Sequence, residues 1–153
     1  MEIQEDFKEL LGLFNAHRVE YVIVGGYALA HHGVPRFTGD LDIVVRPNAE
    51  NAERVMAVLE AFGFGDIGLS AQDFQAPEKV VQLGYPPVRI DILTSLSGLS
   101  EAAVFETKEQ GDYGGVPAHY IGRQALIENK RALGRLRDLA DIEALAEQPG
   151  SDT

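Results

Sequence analysis

The chain contains no cysteine, which excludes a disulfide framework and any thiolate metal site. Long apolar runs are missing too. The longest, Tyr21 to Ala30, has ten residues, two of them glycine, about half of the ~20 that a membrane-spanning helix needs. Basic residues are scarce, 13 against 24 acids, for a formal net charge of −11. Proteins that wrap long nucleic acid without sequence preference carry a basic surface, because phosphate neutralisation dominates that affinity. This chain as a whole repels a polyanion. The opening Met1-Glu2-Ile3-Gln4-Glu5-Asp6 is acidic and lacks the basic start of a secretory signal, so the expected location is cytoplasmic, with no membrane partner.

What remains is ordinary for a globular chain: 153 residues, 45% apolar and 24% charged, enough for a single core. The charge is uneven, however. Arg123, Lys130, Arg131, Arg135 and Arg137 face only one acid, Glu128, in that stretch, so a local anion site is expected inside a repulsive global field.

Periodicity predicts the elements. Ile3, Phe7, Leu10, Leu11 and Phe14 recur at helical spacing over residues 3–17. Glu20 to Val24 reads as a buried strand, Tyr27 to His32 as a helix stopped by Gly33 and Pro35, and Asp40 to Arg46 as a strand with Leu41, Ile43 and Val45 on one face. Asn48 can cap a helix from Ala49 to about Phe62. Gly63 to Pro77 reads as a loop or broken strand. Lys79 to Leu83 and Val88 to Leu93 read as a hairpin linked through Gly84-Tyr85-Pro86-Pro87. A weak helix is expected from Leu99 to about Lys108, a turn at Gly111 to Gly115, a strand from Val116 to Ile121, and helices Arg123–Leu133 and Arg135–Ala146 around Gly134. The expectation is an α/β (α+β) fold: a mixed central sheet flanked by helices, in two or three layers, with helices at the C-terminus.

Three acids stand out. Asp40 and Asp42 lie two apart in a predicted strand, so both carboxylates point to one face and into one small volume. Two anions held so close call for a positive charge, and a hard divalent cation with oxygen ligands is the obvious one. Taken alone, an Asp-x-Asp is more often a pair of solvated acids. Gly25-Gly26 changes the balance, because a Gly-Gly turn between strand and helix lets phosphate approach backbone N–H groups. Asp91 is the third acid, flanked by Ile90 and Ile92 in a strand where Arg89 shares its face. Unpaired buried charge is costly. A diagonal pair with Arg89 is the less expected compensation, a shared metal the more expected one. His31 and His32 are adjacent, and metal-binding pairs on a helix are spaced three or four apart, so they are expected at the surface or as capping residues.

Gly25-Gly26, Asp40-Leu41-Asp42 and Asp91, in that order and with about a dozen residues between the first two motifs, resemble the DNA polymerase β nucleotidyltransferase superfamily in its minimal form. The run Val24 to Gly33, followed by Arg36, Thr38, Asp40 and Asp42, is similar to bacterial members related to AbiEii-type toxins. Lys130 and Arg137-Asp138-Leu139-Ala140-Asp141 are similar to that group's C-terminal motifs. The resemblance spans residues 20–145 and implies one nucleotidyltransferase-like domain over 1–148 with a frayed tail, 149–153. It implies transfer of a nucleoside monophosphate from an NTP (ATP among them) to an acceptor hydroxyl on an RNA end, a protein or a small molecule. Asp40, Asp42 and Asp91 would be the catalytic acids and ligands of Mg2+, with Mn2+ as the alternative ion. Gly25, Gly26, Arg36, Lys130 and Arg137 would bind the nucleotide, Arg36 touching phosphate or pairing with Asp40. Asp138 and Asp141 would orient Lys130 or Arg137, or lie exposed. A cognate toxin or antitoxin is an expected partner. Two departures stand: Tyr27 occupies a position where many active members have Ser, though small antibiotic-modifying members carry an aromatic there, and Arg131 sits where Leu is common.

Two rival classes were weighed. A dinucleotide-binding enzyme needs Gly-x-Gly-x-x-Gly and an acid at the end of the second strand; here the motif is missing and the acids begin that strand. A non-catalytic interaction protein of the same fold keeps the acids idle, and metal and NTP binding separates it from an enzyme.

Overall fold

Two β-branched runs build the centre of the molecule. Tyr21–Val24 (β1) is buried at every residue, so both faces of the sheet are covered there. Asp40–Val45 (β2) lies antiparallel to it, pairing Ile23 with Ile43 and Val24 with Asp42. The computed structural model describes residues 3–36, 38–85 and 88–148. Pro86 and Pro87 of the expected hairpin link, and the tail expected to fray, lie outside the described residues.

The expected pair of strands forms from Val80–Tyr85 (β3) and Val88–Leu93 (β4), antiparallel to each other, but Gly84 and Tyr85, expected in the link, belong to β3 and pair with Arg89 and Val88. Glu109–Tyr113 (β5) and Val116–Tyr120 (β6) form a second antiparallel pair. Together the strands make one mixed sheet in the order β3-β4-β2-β1-β6-β5, with β4 parallel to β2 and β6 parallel to β1.

β5 corrects the reading of its segment. A turn was expected across Gly111 to Gly115, yet only Gly114 and Gly115 turn, and the residues before them are an edge strand. Its exposure alternates, but two of its three inward positions are Glu109 and Gly111, the latter against His31 and Tyr120, so no apolar alternation marks the edge strand. The expected Leu99–Lys108 helix shrinks to Glu101–Phe105 (α4), whose first turn is capped by Ser100 accepting from the Ala103 N–H at 3.1 Å. Within the expected loop, Ala71–Phe74 forms a 3-10 turn that buries Phe74.

Glu5–Ala16 (α1) buries Phe7, Leu10, Leu11 and Phe14 against β6 and Ala49–Ala61 (α3), the stripe that its spacing predicts. Gly25–His31 (α2) follows β1 directly. Arg123–Leu133 (α5) ends at Gly134 in the left-handed conformation, and Leu136–Ala146 (α6) packs back against it. No helix among the described residues is long and apolar enough to cross a membrane. Of the two histidines, expected at the surface or as capping residues, His32 is the C-cap of α2, yet it is buried, and its Nε2 donates to the Ile121 carbonyl at 2.7 Å. His32 sits past the last helical residue, where the change of backbone direction brings the His31 and His32 rings to 4.9 Å.

Asn51, in the first turn of α3, was not marked by its sequence context and holds two strands in place. Its Oδ1 accepts from the Glu20 N–H at 2.7 Å, and its Nδ2 donates to the carbonyls of Glu20 and Arg46, each at 3.0 Å. It thereby ties the start of β1 and the end of β2 to one helix. Both carbonyls have a second backbone donor, so loss of the amide orphans chiefly the Glu20 N–H. Glu20 is itself exposed, so water can reach that N–H and the loss is that of an ordinary hydrogen bond, about 1 kcal/mol. Asn51→Ala is therefore expected to lower unfolding stability by about that amount in urea titration, with the m-value unchanged; a loss indistinguishable from zero would refute the clamp.

Candidate active site

The acids meet because of register. β2 and β4 are parallel, with Asp42 opposite Asp91 and Asp40 opposite Arg89. Partners across adjacent strands project from the same face, and side chains two apart in a strand do too. Asp40, Asp42, Asp91 and Arg89 therefore form one four-cornered cluster. On the opposite face Leu41, Ile43, Ile90 and Ile92 are fully or almost fully buried, which pins the register.

The electrostatics follow from that crowding. Burial, then repulsion by Asp91 and by Asp40, together with a hydrogen bond to the Asp91 carboxyl, pushes the Asp42 pKa from 3.8 up to about 7; Arg89 works against the rise. Arg89 supplies the local countercharge. Its Nε and Nη2 donate to the two Asp91 oxygens, each at 3.1 Å, and its Nε lies 3.9 Å from Asp40 Oδ2. The diagonal pair that strand geometry made the less expected option is thus present, because the planar guanidinium spans a carboxylate with two parallel bonds. One guanidinium cannot neutralise three carboxylates. An all-oxygen donor set with surplus negative charge, one member driven to hold a proton, fits a hard divalent cation.

Gly25 and Gly26 lie against the acids. Gly25 has φ +68°, and a Cβ there would collide with the Asp42 carboxylate, coming 3.2 Å from its Cγ. At Gly26 a Cβ would lie 2.8 Å from Thr38 Cβ and 3.0 Å from its Oγ1. Both positions demand the smallest residue because the Asp42 or Thr38 side chain occupies the space. The residue that opens α2, Val24, supplies no side-chain cap to its first turn, where backbone N–H groups start without intrahelical partners. Tyr27 points away from this site, into the core, edge-on to Phe7 at 5.8 Å and to Tyr113 at 5.5 Å.

These residues border a cleft of about 580 Å³, which is also lined by Arg36, Thr38, Lys130, Arg135, Arg137, Asp141, Val80 and Leu133. All eight residues singled out by sequence line this one cleft. The basic run divides, with Lys130, Arg135 and Arg137 reaching the cleft while Arg123 and Arg131 do not line it. Arg123 instead donates to the Leu145 carbonyl at 2.8 Å.

Lys130 is almost wholly buried, with Nζ 3.1 Å from Asp141 Oδ2 and 3.5 Å from Asp138 Oδ1. Asp138 is fully buried; Arg135, which caps α6, donates to it from Nε at 2.6 Å and from its backbone N–H at 3.1 Å. Hydrogen bonds from Arg135 hold the Asp138 pKa below the ordinary carboxylate value. Arg36 pairs with Asp141 and not with Asp40. That partner is distant in sequence, and nothing local to Arg36 announces it. Arg137 is exposed at the rim and makes no ion pair with another described residue. Two residues were not singled out as site candidates: Thr38, against Gly26, and Arg89, whose position two residues before Asp91 on the same face was the available signal.

No protein-family model matches the chain, and no curated protein sequence matches it. Solved structures match in shape. ANT(2'')-Ia, in complex with adenylyl-2''-tobramycin, is 14% identical with a TM-score of 0.56, covering 92% of this chain and 85% of that one. The lincosamide antibiotic adenylyltransferase LnuA, bound to lincomycin, is 17% identical with a TM-score of 0.55, covering 96% and 99%. An antigenic nucleotidyltransferase-like protein from Paracoccidioides brasiliensis is 17% identical with a TM-score of 0.57, covering 94% and 76%. Identities this low speak to architecture, and the architecture of this chain, a mixed six-stranded sheet with C-terminal helices, is the nucleotidyltransferase-like fold.

Proposed function

We propose that this protein transfers a nucleoside monophosphate from an NTP to an acceptor hydroxyl, with Asp40, Asp42 and Asp91 holding Mg2+. The observation that carries the reading is the convergence of three carboxylates beside Gly25 and Gly26 in a cleft whose other wall is cationic. Such a site suits a ligand with both metal-binding and anionic parts, as a triphosphate has. A bound divalent cation would neutralise phosphate charge and make the acceptor hydroxyl more acidic.

The chain's own groups account for the rest. The N–H groups of the first turn of α2 and the Thr38 hydroxyl would contact phosphate oxygens. Lys130, its charge pinned by Asp138 and Asp141, would meet the β- and γ-phosphates, with Arg137 and Arg36 at the rim. Asp91 would accept the acceptor's proton on a carboxylate oxygen as the new bond to the α-phosphorus forms and the bond to pyrophosphate breaks. Arg89 would have to release one of its bonds to Asp91 for that.

A small-molecule hydroxyl is the favoured acceptor. The cleft is of small-molecule size, Val80 and Leu133 give it apolar contact surface, and the net charge of −11 opposes long RNA. ANT(2'')-Ia and LnuA have antibiotics bound. An RNA end or a protein hydroxyl, the acceptors that a toxin of a toxin–antitoxin pair would use, would appear instead as label in macromolecular fractions.

Incubation with α-labelled NTPs, Mg2+ and a lysate is expected to give labelled acceptor, and Asp40→Asn with Asp42→Asn to cut the rate about a hundredfold or more, the scale of losing several kcal/mol of charge stabilisation. Transfer that persists in the double variant overturns the reading. Calorimetry that finds no heat for Mg2+ with any NTP would favour a non-catalytic binding partner.

A second expectation concerns pH. The folded state holds the Asp42 proton more tightly than the unfolded chain does, from pKa 3.8 to about 7. Its stabilising share is complete below pH 4 and is lost as pH rises toward 7. In EDTA, the Tm of Asp42→Asn minus that of the parent protein should therefore grow from pH 5 to pH 8. A difference that is flat or shrinks contradicts the crowding.

A further inference from the structure

The far end of α2 carries a second cluster, remote from the role of its glycines. His31 stacks on Tyr120 with ring centroids 4.2 Å apart and planes 2° from parallel. Gly111 of β5 leaves room for it: a Cβ there would lie 2.9 Å from His31 Cε1 and 3.2 Å from its Nδ1. The imidazole thus lies on an aromatic face, with the glycine at the edge of both rings (3.1 Å from that Cβ to Tyr120 Cε2) and Nε2 turned to Glu109 Oε1 at 3.4 Å. His32, buried, donates from Nε2 to the Ile121 carbonyl, which leaves Nδ1 with its lone pair. Burial, the largest influence on it, lowers the His32 pKa and favours the neutral ring.

One ligand atom from each of His31, His32 and Glu109 lies within 4.8 Å of the other two. The 3.4 Å separation of His31 and Glu109 is long for a charge-assisted hydrogen bond, which runs about 2.7–2.9 Å. It matches the ~3.4 Å edge of a tetrahedron whose metal–ligand bonds are about 2.1 Å. A ring N–H donated to a backbone carbonyl is also how metal-binding histidines are oriented.

We propose that His31, His32 and Glu109 form a second metal site, taking Zn2+ in preference to Mg2+, that fastens the C-terminal end of α2 to β5. Two imidazoles and one carboxylate are zinc donors, and imidazole does not suit Mg2+. Three protein ligands leave one coordination position for water or another ligand. The His31 and Glu109 side chains are 23% and 30% exposed, which gives an ion access to the cluster. The inference does not depend on nucleotidyl transfer.

The test uses the full chain carrying Asp40→Asn and Asp42→Asn, so that the acid cluster does not compete for the ion. Zn2+ titrated by calorimetry should bind with one equivalent and raise Tm, Mg2+ at the same concentration should do neither, and Co2+ should develop the visible absorption of a tetrahedral site. His31→Ala and Glu109→Gln should each weaken Zn2+ at least about tenfold, and Gly111→Ala, which crowds His31 without removing a ligand, should weaken it as well. Circular dichroism verifies that each variant is folded. The chain has four histidines in all, so Zn2+ affinity that survives His31→Ala and Glu109→Gln belongs to another site and overturns the proposal, as does an absence of Zn2+ binding to the folded parent.

Discussion

Like charges forced together across β2 and β4 are the constraint around which this molecule is built. The parallel register that sets Leu41 beside Ile90 and Ile43 beside Ile92 also sets Asp42 beside Asp91. The apolar face drives the pairing, since burial of those four side chains stabilises by several kcal/mol in sum, and the polar face has to tolerate the outcome. Relief by a one-residue slip is closed off, because it would turn the isoleucines to the cleft and the acids to the core. The strain is instead met locally, by Arg89 across two Asp91 oxygens and by the raised proton affinity of Asp42.

A second charge balance faces the first. Lys130 is a buried cation between two buried acids, and each acid is tied in turn to an arginine nearer solvent, Asp138 to Arg135 and Asp141 to Arg36. Buried ion pairs add little net stability, while removal of one partner is strongly destabilising. Their effect here is to fix where the ammonium stands. In a chain of charge −11, three cations of the cleft wall, Arg36, Lys130 and Arg135, are each anchored by the acids of α6, while Arg137 stands without an ion pair among the described residues.

What the sequence disclosed follows from the range over which each feature is determined. Helices α1 and α3 announced themselves because their apolar stripes repeat within a turn, and Asn48 caps α3 as its residue type suggests, accepting the Asn51 N–H at 2.8 Å. Asp40 and Asp42 could be aligned from strand periodicity alone. Asp91 joins them through strand pairing, for which the isoleucines on either side were the only local sign. Strand β5 stayed hidden because its inward positions hold Glu109 and Gly111 and only Tyr113 is apolar and buried, so its alternation carries no hydrophobic signal. The partner of Arg36 was misjudged: nearness in sequence favoured Asp40, whereas the fold brings Asp141 from the far end of the chain. Of the two places expected for the histidines, surface or cap, His32 takes the cap of α2, but a buried one against the Ile121 carbonyl, a contact set by the fold and not by local sequence.

The shortness of α2 gives Tyr27 its meaning. Seven residues are too few for a helix to stand by its own hydrogen bonds, so its position depends on what its side chains grip. Gly25 and Gly26 abut Asp42 and Thr38 at one end, and His31 and His32 meet Tyr120 and Ile121 at the other, about 9 Å away at 1.5 Å per residue. Tyr27 lies between them, its ring set edge-on to Phe7 and Tyr113. A serine at this position would surrender that anchor. Because the side chain enters the core, contact with an anion under the proposed function would fall to the backbone N–H groups at this end of α2 and to Thr38. The aromatic residue then serves the site indirectly, by holding still the short helix whose first turn borders the acids.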